Sequence, residues 1–183
     1  MACDTRTRRS LLLAFSLALA AAACGPAQNE ARPPIASGDW LEFTGTWTAA
    51  GSRNSIALGA ERRSSIVNLR GSLLLAGAGR PGVGFHSEVL GLSDSASGFS
   101  GRSAWTDEHG DQVYSELQGE GTAEKNHIRG TIFGGTGRYS GATGMYEFSW
   151  QWVMEAEDGS IQGRASDLKG RVRRGSAAEG TPR

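Results

Sequence analysis

Cysteine is almost missing from this chain: it has Cys3 and Cys24, and both lie ahead of the region that shows regular patterning. That later region therefore has no disulfide, no thiolate metal site and no cysteine nucleophile, and must hold itself together by packing and hydrogen bonds. Histidine is scarce as well. His86, His109 and His127 lie far apart with no HxH or HExxH spacing, so only folding would assemble a metal site from them, and none is expected. There is no GxSxG elbow, which removes the usual serine-hydrolase arrangement. Net charge is lacking too. Nineteen basic and nineteen acidic residues cancel, so nothing attracts nucleic acid or an anionic membrane surface over a distance, and nucleic acid is not an expected partner. No cofactor site is recognisable, and no cofactor is expected.

The N-terminal segment reads as an export signal rather than as part of a fold. Arg6, Arg8 and Arg9 form a positive region, and the apolar run Leu11 to Ala23 is short for a membrane span. Ala21-Ala22-Ala23-Cys24 resembles a bacterial lipobox, although leucine is usual where Ala21 stands. This predicts cleavage after residue 23 and lipid on Cys24, with an ordinary signal peptide cut near Ala23 as the alternative. Thr7-Arg8-Arg9-Ser10-Leu11-Leu12 also resembles a twin-arginine signal, so two export routes stay open. Gly25 is not the aspartate that commonly holds lipoproteins in the inner membrane. The expected address is thus the cell envelope, as an outer-membrane lipoprotein or a periplasmic protein, with the lipid as the only membrane contact. Residues 24–38 are polar and proline-bearing, a tether, and residues 175–183 mirror them as a tail.

What the chain has in quantity is glycine, 27 residues against five prolines in 183. That balance, in a length suited to one domain, favours many short strands joined by tight turns. Residues 39–174 divide accordingly. Candidate strands run over Asp39–Ala49, Ser55–Leu58, Ile66–Ala76, Gly84–Leu92, Gly98–Thr106, Gln112–Gln118, His127–Phe133, Ala142–Glu157 and Ile161–Arg173. Asp94–Ser97, Asp107–Asp111 and Glu157–Ser160 carry the Asp and Gly chemistry of hairpin turns. The fold class expected is all-β: one antiparallel barrel of eight or nine strands, with a two-sheet sandwich fitting the same pattern nearly as well.

The stretch from Phe133 to Glu155, FGGTGRYSGATGMYEFSWQWVME, organises the rest. Tyr146, Phe148, Trp150, Trp152 and Met154 alternate with Glu147, Ser149, Gln151 and Glu155, which gives a strand one apolar wall and one polar back. Gly134, Gly135, Thr136, Gly137, Tyr139 and Gly144 ahead of it resemble the glycine-rich turn of the allene oxide cyclase-like and dirigent-like barrels, and the likeness of arrangement extends from about Asp39 to Arg174. The resemblance implies an eight-stranded antiparallel barrel around an apolar cavity. A phosphate cradle built from the same glycines would need a helix N-terminus after them, and no helix is written there.

Two functional classes follow. One is a binding barrel for a small apolar ligand or an envelope partner. The other, implied by the resemblance, is a cyclase or isomerase whose cavity confines the substrate and excludes water, with no side chain assignable to catalysis. A cavity of roughly 300 Å3 or more with mixed aromatic and polar walls would mark a ligand site, and a filled interior would mark a scaffold. The candidate contacts are His86, Glu88, Arg102, Tyr114 and Glu116 for polar groups and Trp105 and Trp150 for walls, because consecutive strands concentrate them. Alternation allows the charged members to point inward as a paired cluster with Arg70, or outward as a solvated ladder, and the outward orientation carries no desolvation cost. The aromatic wall around Trp150 likewise reads as core packing or as ligand contact.

Overall fold

The computed structural model describes residues 40–77, 82–122 and 125–175. The signal segment, Cys24, the whole tether and all but the first residue of the tail expected from the sequence lie outside these residues. Eight strands follow one another: β1 (Leu41–Ala57), β2 (Arg63–Ala76), β3 (Val83–Asp94), β4 (Gly98–Asp107), β5 (Gln112–Thr122), β6 (Lys125–Gly135), β7 (Thr143–Glu155) and β8 (Ser160–Arg173), with a short 3-10 turn at Gly137–Tyr139. Each pairs antiparallel with the next, and β1 also pairs with β8, from Leu41 opposite Val172 to Ser52 opposite Ser160. That last pairing decides for the barrel over the sandwich, since it leaves the sheet without an edge.

Eight strands replace the upper estimate of nine because Asp39–Ala49 and Ser55–Leu58 belong to one strand. Gly51 between them is not a break. It stays paired with Leu69 on one side and Ile161 on the other, at a point where a Cβ would overlap the Asn68 carbonyl, so the missing side chain lets β1 lie close against β2.

Alternation then sorts the side chains. Trp47, Val67, Leu69, Leu73, Val89 and Leu117 are buried inside, while Asn68, Arg70, Ser72 and Leu74 of β2 face outward or sit near the surface. On β7, Tyr146, Phe148 and Trp150 are buried as the sequence pattern predicts, but Met154 is 40% exposed. The register of β7 against β8 shifts between Trp152 and Met154, and the wall ends there.

The middle of the barrel is filled and contains a short chain of hydroxyls. The Tyr146 hydroxyl lies 2.6 Å from Ser115 Oγ, which lies 2.6 Å from Ser103 Oγ, all three buried. Room for the Tyr146 ring comes from glycine on both neighbouring strands, Gly130 on β6 and Gly170 on β8, each directly opposite it. The turn after β6 closes one end. Gly137 takes φ +48°, Tyr139 packs on Phe85 with ring centroids 5.8 Å apart, and Arg138 Nε reaches Asp107 Oδ2 at 2.8 Å. The glycine-rich motif is therefore a plug as well as a corner. Thr136 ties it to β5, with Gln112 N–H donating to Thr136 Oγ1 at 2.9 Å and Thr136 N–H donating to the Gln112 carbonyl at 2.8 Å.

Gly130→Ala places a methyl group into the Tyr146 ring and is expected to destabilise the barrel by about 1–3 kcal/mol. Gly84→Ala, which meets nothing within 4 Å, should stay within about 0.5 kcal/mol of the parent. Paired urea denaturation curves check this, and equal midpoints would show that the Gly130 contact is not constraining.

Candidate functional site

The other end of the barrel is formed by the end of β1, the start of β2, the β3–β4 turn, and the facing ends of β5 to β8. It opens into a cavity of about 190 Å3. Its apolar wall includes Val67, Leu69, Val89, Leu117, Ile128 and Phe148, with Trp47 and Trp150 beside them and Phe99 and Trp152 nearer the rim. Beneath it the interior narrows to a void of about 10 Å3 among Trp105, Ser87, Ser103, Tyr146 and their neighbours. The interior is thus neither the cavity of 300 Å3 or more that the larger expectation required nor a solid scaffold. An enclosed apolar cavity of about 150 Å3 accepts benzene, and this one has room for a slightly larger molecule.

Two features distinguish the surroundings of this cavity. Trp47 and Trp150 are 5% and 7% exposed, their rings are 4.7 Å apart, and neither indole Nε1 has a protein acceptor among the described residues. Buried indole N–H groups ordinarily find a partner, and leaving one unmatched costs about 1–3 kcal/mol. The rim is the second feature. The charged residues lining the cavity are Arg53 and Arg63, accompanied by the hydroxyls of Ser65, Ser93 and Ser95. Arg53 is engaged: its guanidinium forms a two-point pair with Glu155, at 2.6 and 3.2 Å, and lies 5.7 Å from the Trp152 ring centroid.

Beside this rim Arg62 clasps Asp94, Nε to Oδ1 at 3.2 Å and Nη2 to Oδ2 at 3.0 Å, tying the β1–β2 turn to the β3–β4 turn. The Arg62 guanidinium and the Ala96 N–H hold the Asp94 carboxyl down at about 2. At the plugged end, burial pushes the Asp107 carboxyl up, but the His109 N–H, the Tyr139 hydroxyl, Arg138 and the Asp111 N–H outweigh it and keep it below the ordinary value. Tyr146, at mid-barrel, is pushed up to about 12 by burial, against the pull of Ser103 and Ser115.

The residues singled out from the sequence divide between the two faces. His86, Glu88, Arg102, Tyr114 and Glu116 stand on the outer surface and do not reach the cavity. Glu88 Oε1 pairs with Arg70 Nε at 2.8 Å and lies 3.9 Å from His86 Nε2, Arg102 pairs with Glu116 at 2.9 Å, and Tyr114 donates to Gln112 Oε1 at 2.8 Å. They are brought together, but as the solvated cross-strand ladder that alternation allows. The odd-numbered Phe85, Ser87, Val89, Ser103, Ser115 and Leu117 take the inward positions of those strands. Trp105 and Trp150 do point inward, Trp105 to the narrow middle and Trp150 to the cavity. Missed in the sequence were Trp47, Ser65 and the rim arginines. A signal for them existed: Arg53, Arg63 and Ser65 share the face of the apolar residues that follow or precede them at intervals of two.

No protein-family model matches the chain, and no curated protein matches it. Among solved structures it is similar to the pterocarpan synthase dirigent protein GePTS1, with 13% identity over 76% of this chain and 90% of that chain and a TM-score of 0.45. The closed antiparallel barrel of eight strands is the architecture that the sequence resemblance implies.

The two depressed carboxyls set an acid limit. Each titrates lower in the folded chain than the 3.8 of a free aspartate, so the stabilisation they provide is complete above about pH 5 and is lost as pH falls toward about 2. Denaturation midpoints should decline across that window, and Asp94→Asn should flatten the decline while lowering the midpoint at neutral pH. A parent midpoint that stays level down to pH 2 would contradict the assignment.

Proposed function

We propose that the protein is a binding barrel that takes a small apolar ligand into the cavity at its open end, and that it is exported and held at the cell envelope by lipid on Cys24. The observation that carries the binding reading is the cavity itself: the open end of the barrel leads to about 190 Å3 walled by apolar side chains. A small apolar ligand there exchanges water for contact with the wall. The wall residues are apolar, hydroxyl-bearing or arginine, with no carboxylate or imidazole among them. This favours binding over proton-transfer chemistry.

A cyclase or isomerase that works by confinement is the second reading. A closed barrel with an apolar cavity favours it. Its substrate would have to fit the same 190 Å3, too little for a long flexible chain to fold on itself.

The binding reading is tested by thermal unfolding of the domain from residue 39 onward with small aromatic probes such as toluene and indole. A probe at about a hundred times its Kd adds about 2.7 kcal/mol of stability, seen as a rise in midpoint. Val67→Phe, which fills the cavity, should abolish the rise while leaving the β spectrum intact. If none of the probes raises the midpoint, the binding reading fails.

The envelope reading rests on the sequence of residues 1–24. Cys24→Ala is expected to move the protein from the membrane fraction to the soluble one. Unchanged fractionation, with no acyl mass on the parent protein, would overturn lipidation.

A further inference from the structure

The rim of the cavity bears a charge that the binding reading alone does not use. Three arginines gather there, and two are engaged: Arg53 by Glu155 and Arg62 by Asp94. Arg63 lines the cavity and has no carboxylate partner among the described residues. Its backbone is fixed on both sides, with Arg63 N–H donating to Ser95 Oγ at 3.0 Å and the Ser95 N–H donating to the Arg63 carbonyl at 3.0 Å. Arg63 also precedes Ser65, Val67 and Leu69 on the inward face of β2, so its position belongs to the mouth rather than to the outer wall. Glu61 in the adjoining turn neither lines the cavity nor pairs with Arg63. The lining therefore presents one compensated and one uncompensated guanidinium and the hydroxyls of Ser65, Ser93 and Ser95, with apolar side chains around them. No carboxylate is among the residues lining the wall.

We infer that the ligand is a small apolar carboxylate, with its ring or short hydrocarbon body among Val67, Val89, Leu117 and Phe148 and its carboxylate at the rim against Arg63. This rests on the binding reading and adds the charge of the ligand to it. A guanidinium matches the planar, two-oxygen geometry of a carboxylate, and a hydrogen bond to a charged partner is worth about 1.5–3 kcal/mol. Arg53 is held by Glu155 and Trp152 and its charge is cancelled there, which leaves Arg63 to meet the carboxylate. The volume limits the body to one ring or its equivalent.

Benzoate and methyl benzoate separate the two levels, because they share the ring and the acceptor oxygens and differ in charge. Calorimetric titration at low ionic strength should give benzoate an affinity about tenfold or more above the ester. Arg63→Gln should erase that preference by lowering the benzoate affinity to about that of the ester, with the thermal midpoint unchanged, since the Arg63 side chain is exposed. If the two probes bind equally, the cavity binds ligands but the carboxylate assignment is wrong. If neither binds, the binding reading falls and takes this inference with it. A preference for benzoate that survives in Arg63→Gln assigns the anion to another group and overturns the role of Arg63.

Discussion

The pairing of β1 with β8 is the constraint on which everything else in this molecule depends. Neither strand neighbours the other in sequence, yet their ladder runs from Leu41 to Ser52 on β1 and turns an open meander into a closed surface. Once closed, the barrel has an inside and an outside and no third option. Every strand residue must take one of them, and period-two alternation decides which. Without that ladder β1 and β8 would be two long exposed edges on a glycine-rich sheet, a template for aggregation.

Closure also makes the two ends the only places where the interior meets solvent, and the chain treats them differently. At one, the turn after β6 folds Tyr139 over Phe85 and anchors Arg138 to Asp107. At the other, the arginines serve the turns rather than a plug: Arg62 joins two hairpins through Asp94, and Arg53 reaches across from β1 to Glu155 on β7. The cavity lies behind that second set. Between the ends, Tyr146 and its serines fill the narrow middle, so what enters the open mouth does not pass through.

Polar groups inside are handled in two ways. The hydroxyls of Ser103, Ser115 and Tyr146 satisfy one another, and the buried Ser65 pairs with the exposed Ser55 at 2.7 Å, so burying these four costs little. The indoles of Trp47 and Trp150 are the exception, and they stand in the cavity wall. By contrast, the charged pairs that look most active in the sequence, Arg70 with Glu88 and Arg102 with Glu116, are exposed on the outer sheet and contribute little to stability.

The sequence by itself determined the all-β class, the three hairpin turns Asp94–Ser97, Asp107–Asp111 and Glu157–Ser160, and the inward wall of β7, because alternation and turn chemistry are local properties. Asp side chains that accept from their own turn amides, and glycines free to take positive φ, behave the same in any fold. Tertiary structure decided the rest. That Gly51 lets two strands approach rather than ending one, and that Gly130 and Gly170 make room for the Tyr146 side chain, depends on which strand lies across from each. The face of His86 and Glu88 was ambiguous because alternation fixes which residues share a face but not which face turns inward. The joining of Trp47, Arg63 and Trp150 into one cavity was beyond local reading altogether, since residues a hundred positions apart become neighbours only when β8 closes onto β1.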